Sequence, residues 1–240
     1  MEPGDISRVQ QHKQYKCLIF IAMLYIALML GSAIMVNRVL DFDSFTQPGG
    51  ILIFPLTYFL SDVITEIYGY RISRNILWSS LICQFIFAIV IRLTMLAPTA
   101  PFIQSNTAFH TVLDHLIKYS ISFTLGTIAG GFLNIYIISK FKIIMQGKYF
   151  WLRSLGSTCL GECVFTIITL GPVLLANNTL AHVLQILLDA YIFKLIYGLL
   201  FIIPASILVV ILKRVEKIDT YDYQVKYNPF SLRINQTAEN

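Results

Sequence analysis

Two carboxylates four residues apart, Asp62 and Glu66, interrupt an apolar run, and on a helix that spacing stacks them one turn apart on the same face. Tyr58 and Tyr70 extend that face. Away from water, two neighbouring negative charges are costly to hold together. The pair can therefore bind a cationic or hydrogen-bond-donating solute, or carry a proton. The competing structural reading is a helix end anchored at a membrane boundary, and it bears more on Glu66 than on Asp62. A third acid, Glu162, stands among Gly156, Ser157, Thr158 and Gly161, residue types that let backbones approach closely or that offer hydroxyl groups. This reads as a pocket wall, against the plainer alternative of a glutamate bonded to a neighbouring helix. Asp189 and Lys194 are five residues apart, off a shared helical face, so each meets another helix or the two neutralise each other. Lys194 can also snorkel toward headgroups on its long stem.

Other chemistries find little support. His110 and His115 lack the HExxH spacing of a zinc site, and a solvated loop face accounts for them. Cys17, Cys83, Cys159 and Cys163 all lie in apolar runs; Cys159 and Cys163 are one helical turn apart, but small-residue packing explains them better than a metal or redox pair. There is no GxSxG elbow and no P-loop, so an enzyme is not expected, no cofactor is implied, and any ATPase must be another chain.

The elements that must position these groups are membrane spans. The 240 residues are 56% hydrophobic and only 13% charged, and the mean hydropathy is +0.70, outside the range of soluble domains. A hydrocarbon core of about 30 Å needs roughly 20 apolar residues at 1.5 Å each. Six such runs occur, at about 17–36, 50–69, 76–97, 119–139, 154–175 and 190–212. They predict an all-α integral membrane protein with a polar tail over 1–16, a six-helix transport domain over 17–212 and a second tail over 213–240. Leu180 to Leu188 lie in the interface or extend a tilted last helix. The first run is longer than a signal-peptide core and reads as a true span. Pro55 and Pro204 are expected to interrupt their helices, and Gly126 with Gly130 forms a GxxxG packing motif. The outer loop from Pro98 to Lys118 is expected to hold a short interfacial helix over Phe109–Leu116.

The net charge of +5 does not point to nucleic acid, because the basic residues sit at the ends of apolar runs rather than along an aromatic-interleaved stripe. Fourteen Lys and Arg residues fall on one side, counting both tails and the second-to-third and fourth-to-fifth connections; only Arg38, Arg92 and Lys118 fall on the other. Both termini are therefore expected in the cytoplasm.

The run from Leu56 to Arg71, reading LTYFLSDVITEIYGYR, closely resembles the signature of the queuosine precursor transporter family, also called vitamin-uptake-transporter-like. The run from Arg153 to Glu162 resembles the family's fifth-helix motif. Lys194, Pro204, Lys213, Arg214, Glu216 and Asp219 resemble its closing helix and tail. The likeness extends from the first helix to Tyr223 and departs at Phe165, where an Asp is expected.

The resemblance implies a multi-pass inner-membrane importer of 7-cyano-7-deazaguanine, 7-aminomethyl-7-deazaguanine or queuine, salvaged for the tRNA nucleoside queuosine. A deazaguanine presents adjacent N–H donors that a carboxylate accepts in pairs. The expected cavity lies between the second, fifth and sixth spans, with Glu162 and Asp62 reading the ring edge and Ser157 and Thr158 adding hydrogen bonds. Tyr58, Tyr68 or Trp78 supplies a stacking plane. Glu66 with Arg71 forms an inner gate and Asp189 with Lys194 an outer one. The carrier is monomeric or self-associating, in contact with lipid. The alternative is a substrate-binding subunit that needs a separate ATP-driven energising module.

Overall fold

The computed structural model describes residues 15–36, 38–41, 46–98, 109–110, 113, 116–175 and 179–231. His115 and most of the expected helix over Phe109–Leu116 lie outside them. Among the described residues six helices are long and apolar enough to cross a membrane, as the hydropathy predicts. They are α1 (Leu18–Met35), α2 (Phe54–Tyr68), α3 (Tyr70–Leu96), the pair α4 (Leu116–Gly126) and α5 (Phe132–Ile144), α6 (Phe150–Leu175) and α7 (Leu180–Glu216). A π-helical turn, Thr127–Gly131, joins α4 to α5 within one span. Between α1 and α2 a short antiparallel pair, β1 (Val39–Asp41) with β2 (Thr46–Pro48), leads into a 3-10 turn at Gly49–Leu52.

The helices differ in what surrounds them. In α2 and its preceding turn 72% of the span is buried inside the protein, against 17% for α7, so α2 is the central post and α7 faces lipid along most of its length. On α3, Ile82, Phe85, Ile86, Ile89, Val90 and Leu93 are exposed on one side, while Leu77, Ser80, Leu81, Gln84 and Ala88 are buried on the other. The lipid-facing surface is thus the apolar one, and polar groups that hydrocarbon would penalise turn inward. Pro55 does not interrupt α2, because it occupies the helix's first turn, where a proline costs no hydrogen bond. Pro204 does lie inside α7. That helix runs 37 residues, about 55 Å at 1.5 Å per residue, and absorbs Leu180–Leu188 at one end and Lys213–Glu216 at the other.

The GxxxG pair packs as expected. A Cβ at Gly130 would strike the Gly161 carbonyl and Phe165, and one at Gly126 would strike Thr169, so the π turn lies directly against α6. Such a turn widens the helix locally and is common beside functional sites.

The two chain ends meet at one end of the bundle. Glu216, the last residue of α7, accepts from the backbone N–H groups of Lys16 at 3.0 Å and Cys17 at 2.6 Å and from the Tyr68 hydroxyl at 2.9 Å. Its carboxylate therefore caps the N-terminus of α1. Residues 217–231 then fold back across the α2–α3 corner. Thr220 donates its N–H to the Ile67 carbonyl, Asp222 accepts from the Tyr70 N–H and the Ser139 hydroxyl, and the Trp78 indole donates to the Pro229 carbonyl. Gly69 makes this corner with φ +84°, and a Cβ there would meet the Asp222 carboxylate at 2.9 Å.

Replacing Gly130 with valine should destabilise the bundle by about 1–3 kcal/mol through overpacking against α6, read as a lowered thermal unfolding midpoint in detergent. A second expectation concerns Asp219. Burial would raise its carboxyl, but hydrogen bonds from Lys142 and Lys213 prevail and hold it below the ordinary carboxylate range. A depressed folded-state value gives stability that is complete above the unfolded value of about 3.9 and is lost as pH falls through the folded value beneath it. Amide exchange over 217–222 should accordingly accelerate only at strongly acidic pH, and Asp219→Asn should accelerate it at neutral pH.

Candidate functional site

Three acids on α2 and α6, Asp62, Glu66 and Glu162, are buried inside the bundle in three different environments. Glu66 is fully buried and sits within reach of three cations. It accepts from Arg153 at 2.7 Å through Oε2 and from Lys213 at 2.7 Å through Oε1, and the Lys142 ammonium lies 3.7 Å from Oε1. Lys142 also donates to the Glu66 carbonyl and to Asp219, and Lys213 reaches Asp219 at 2.9 Å. One glutamate thus ties α2 to α5, α6 and α7 where the tail crosses. The expected gate of Glu66 with Arg71 does not form. Arg71 lies on the outside of the corner with Tyr15, Tyr68 and Asn75 in an open groove beside the tail, because the helix breaks at Gly69 between the two residues.

Asp62, one turn from Glu66, is surrounded by neutral donors instead. Its Oδ1 accepts from the Asn134 amide at 2.5 Å, and its Oδ2 accepts from Ser154 at 2.5 Å and Thr158 at 3.2 Å. The same side chains that α5 and α6 present at this level therefore occupy its lone pairs. Thr158, expected to hydrogen-bond the solute, donates here to Asp62. Ser157 does not, since its hydroxyl donates to the Ser154 carbonyl of its own helix. Tyr58 is buried with its hydroxyl unpartnered, and it lines a hollow of about 10 Å³ with Thr127 and Asn134. That is the size of a single water.

Glu162 is paired with Lys194. The ammonium donates to Oε2 at 2.9 Å and to the Thr166 hydroxyl at 3.0 Å, while Oε1 is buried without a partner. The outer pairing of Asp189 with Lys194 is thereby corrected: five residues along a helix turn the two away from each other, and Lys194 points inward across to α6.

Lys194 also faces a cavity of about 90 Å³ in the half of the bundle remote from Glu216 and the tail. At roughly 10–15 Å³ per water this space has room for several waters. All six spans contribute to its wall, not the second, fifth and sixth alone. Ser32 and Val36 come from the end of α1, Gln84 from α3, Ser120 from α4, and Gln47 from the strand-and-turn segment that closes over it.

Its most ordered wall is aromatic. Phe54 and Phe165 stack with centroids 4.3 Å apart, Phe123 meets both edge-on, and the Lys194 ammonium lies 4.5 Å from the Phe165 ring centre and 5.2 Å from that of Phe54. Phe165 therefore fills the place where an Asp was expected with a π surface, and the cation it faces is held by Glu162 one turn earlier. The aromatics proposed for stacking, Tyr68 and Trp78, are spent at the other end on Glu216 and Pro229. Neither Phe54 nor Phe123 was singled out in the sequence, since a phenylalanine within an apolar run carries no distinguishing signal.

Removing the charge at the centre of the cationic cluster tests its structural role. Glu66→Gln should cost about 3–5 kcal/mol of stability by leaving buried cations uncompensated, whereas Arg71→Ala should stay within about 0.5 kcal/mol of the parent. Thermal or denaturant unfolding of the purified variants distinguishes these outcomes.

Residues 48–209 match the family model described as "Putative vitamin uptake transporter". The chain is also similar to the "Probable queuosine precursor transporter" of Bacillus subtilis (strain 168), with 24% identity over 166 residues that cover 69% of this chain and 72% of that protein. No solved structure matches it.

Proposed function

The chain belongs to the vitamin uptake transporter family, and we propose that it imports a planar, purine-like queuosine precursor such as 7-cyano-7-deazaguanine across the inner membrane. The observation that carries this reading is the cavity itself: a space walled by stacked phenylalanines with a buried Lys–Glu pair at its edge, inside a bundle whose outer surface is apolar. Aromatic walls suit the faces of a conjugated ring. Glu162 offers a carboxylate oxygen that nothing else uses, and a ring N–H or exocyclic amine supplies the matching donor. Lys194 lines the cavity and holds the other oxygen of Glu162, so in this reading substrate entry and rearrangement of the Lys194–Glu162 pair are one event.

In this reading the end that gathers the chain termini and most Lys and Arg residues faces the cytoplasm, so the cavity belongs to an outward-facing state. The cluster around Glu66 then forms the closed inner side, a role first assigned to Glu66 with Arg71. Asp62 acts as the pin between α2, α5 and α6, and its Asn134, Ser154 and Thr158 partners exchange for the substrate when the bundle rocks inward. Tyr58, next to the small hollow, lies on the path from one acid to the other.

Uptake of labelled 7-cyano-7-deazaguanine into cells unable to synthesise it should require this protein. The rate should fall at least roughly tenfold in Glu162→Gln and in Lys194→Ala, as expected for loss of a charged hydrogen-bond partner in a buried site. Undiminished uptake in both variants, at equal amounts in the membrane, would remove the site; the absence of any protein-dependent uptake would remove the substrate.

A further inference from the structure

The cavity contains a polar group that the Lys194–Glu162 pair does not explain. Gln84, near the middle of α3, is 1% exposed, and both its amide oxygen and its amide nitrogen lack a hydrogen-bond partner. It lines the cavity together with Gln47, which is 2% exposed and whose Oε1 is likewise unpartnered. Buried polar side chains are nearly always satisfied, and an amide with neither end paired is the less expected because leucine would fit an apolar wall at no such cost. Two primary amides meeting one aromatic-lined space indicate a missing partner with its own donor and acceptor.

We infer that Gln84 reads the cyclic amide edge of the transported ring, its oxygen accepting the ring N–H and its NH₂ donating to the adjacent ring carbonyl. This rests on the substrate reading above and specifies which edge of the molecule is recognised. A side-chain amide presents one acceptor beside one donor, and the complement that satisfies both in two parallel bonds is an N–H next to a C=O. Glutamine uses the same two-point geometry against the adjacent acceptor and donor of adenine, so the contact demands such a pair on the ring, and the substrate reading above identifies that pair as the cyclic amide. The result is independent of how the amide oxygen and nitrogen are assigned, since neither atom has another partner.

The remaining wall narrows the class. A carboxylate ligand would leave the NH₂-to-acceptor bond made but the amide oxygen empty, and a cation would face the Lys194 ammonium. A neutral, flat ring avoids both penalties and lies against Phe54 and Phe165. At about 90 Å³ the closed cavity excludes a peptide or an acyl chain, and its walls must part to admit a bicyclic ring. Gln47 Oε1, on the segment that closes the cavity, is placed to accept a further N–H from the same ligand.

The test is equilibrium binding to the purified full chain in detergent, using guanine and 7-deazaguanine, which carry the ring N–H beside the carbonyl, against their N1-methyl derivatives, in which that N–H is replaced. The parent should prefer the first pair by roughly 10- to 100-fold, the range expected of one bidentate contact. Gln84→Leu should abolish the preference while leaving the weaker binding of the second pair; if it fails to fold, Gln84→Met of near-equal length replaces it. A preference that persists in the folded variant, a parent without preference, or a folded parent that binds none of the four rings would overturn the inference. Gln84-dependent preference in a protein that transports no deazaguanine in cells would leave this recognition intact and defeat only the transport reading.

Discussion

The arrangement of the bundle depends on the charge of Glu66. A carboxylate with no exposed surface must be neutralised by its neighbours. Arg153, Lys142 and Lys213 do this from three different helices, while Asp219 shares two of the cations from the tail. None of these groups is tolerable in a bilayer alone; together they fix where α2, α5, α6 and α7 stand relative to one another. Hydrophobic burial cannot supply that specificity, because lipid tails are as apolar as the helix faces they touch.

This cross-link divides the protein into unlike halves. Where the charges are compensated several times over, the helices close on each other and the folded tail covers them. Toward the other end, pairing is incomplete: Glu162 keeps a free oxygen, Gln84 and Gln47 keep free amide atoms, and the π turn at Thr127–Gly131 relaxes the packing opposite α6. The cavity lies there. Such a gradient from saturated to unsaturated polar groups is what a binding site inside a membrane requires, since every group left unpaired must find its partner in the solute.

Much of this was legible in the chain. The six runs give the spans because the cost of placing backbone and charge in hydrocarbon leaves few alternatives, and the same cost marks Asp62, Glu66, Glu162 and Lys194 as residues that need partners. What the chain does not disclose is which partner each acid takes. Arg71 follows Glu66 closely in sequence, but the break at Gly69 carries it outside, while Arg153 and Lys213 arrive from distant helices. Asp189 and Lys194 are neighbours in number only. Gln84 passed unnoticed because an amide carries no charge, and a single glutamine in an apolar helix is less conspicuous than an acid. Phe54, Phe123 and Phe165 form one wall only after α2, α4 and α6 are brought side by side.

The cap that Glu216 places on α1 has a bearing on biosynthesis. The N–H groups at the start of α1, synthesised well before α7, wait for a carboxylate nearly two hundred residues downstream. Until α7 has entered the bilayer, α1 is held by its packing on α2 and lacks the anchor that fixes its start. Its final register is set late, by the arrival of the last span, so membrane insertion and completion of the tertiary structure are separate events in this protein.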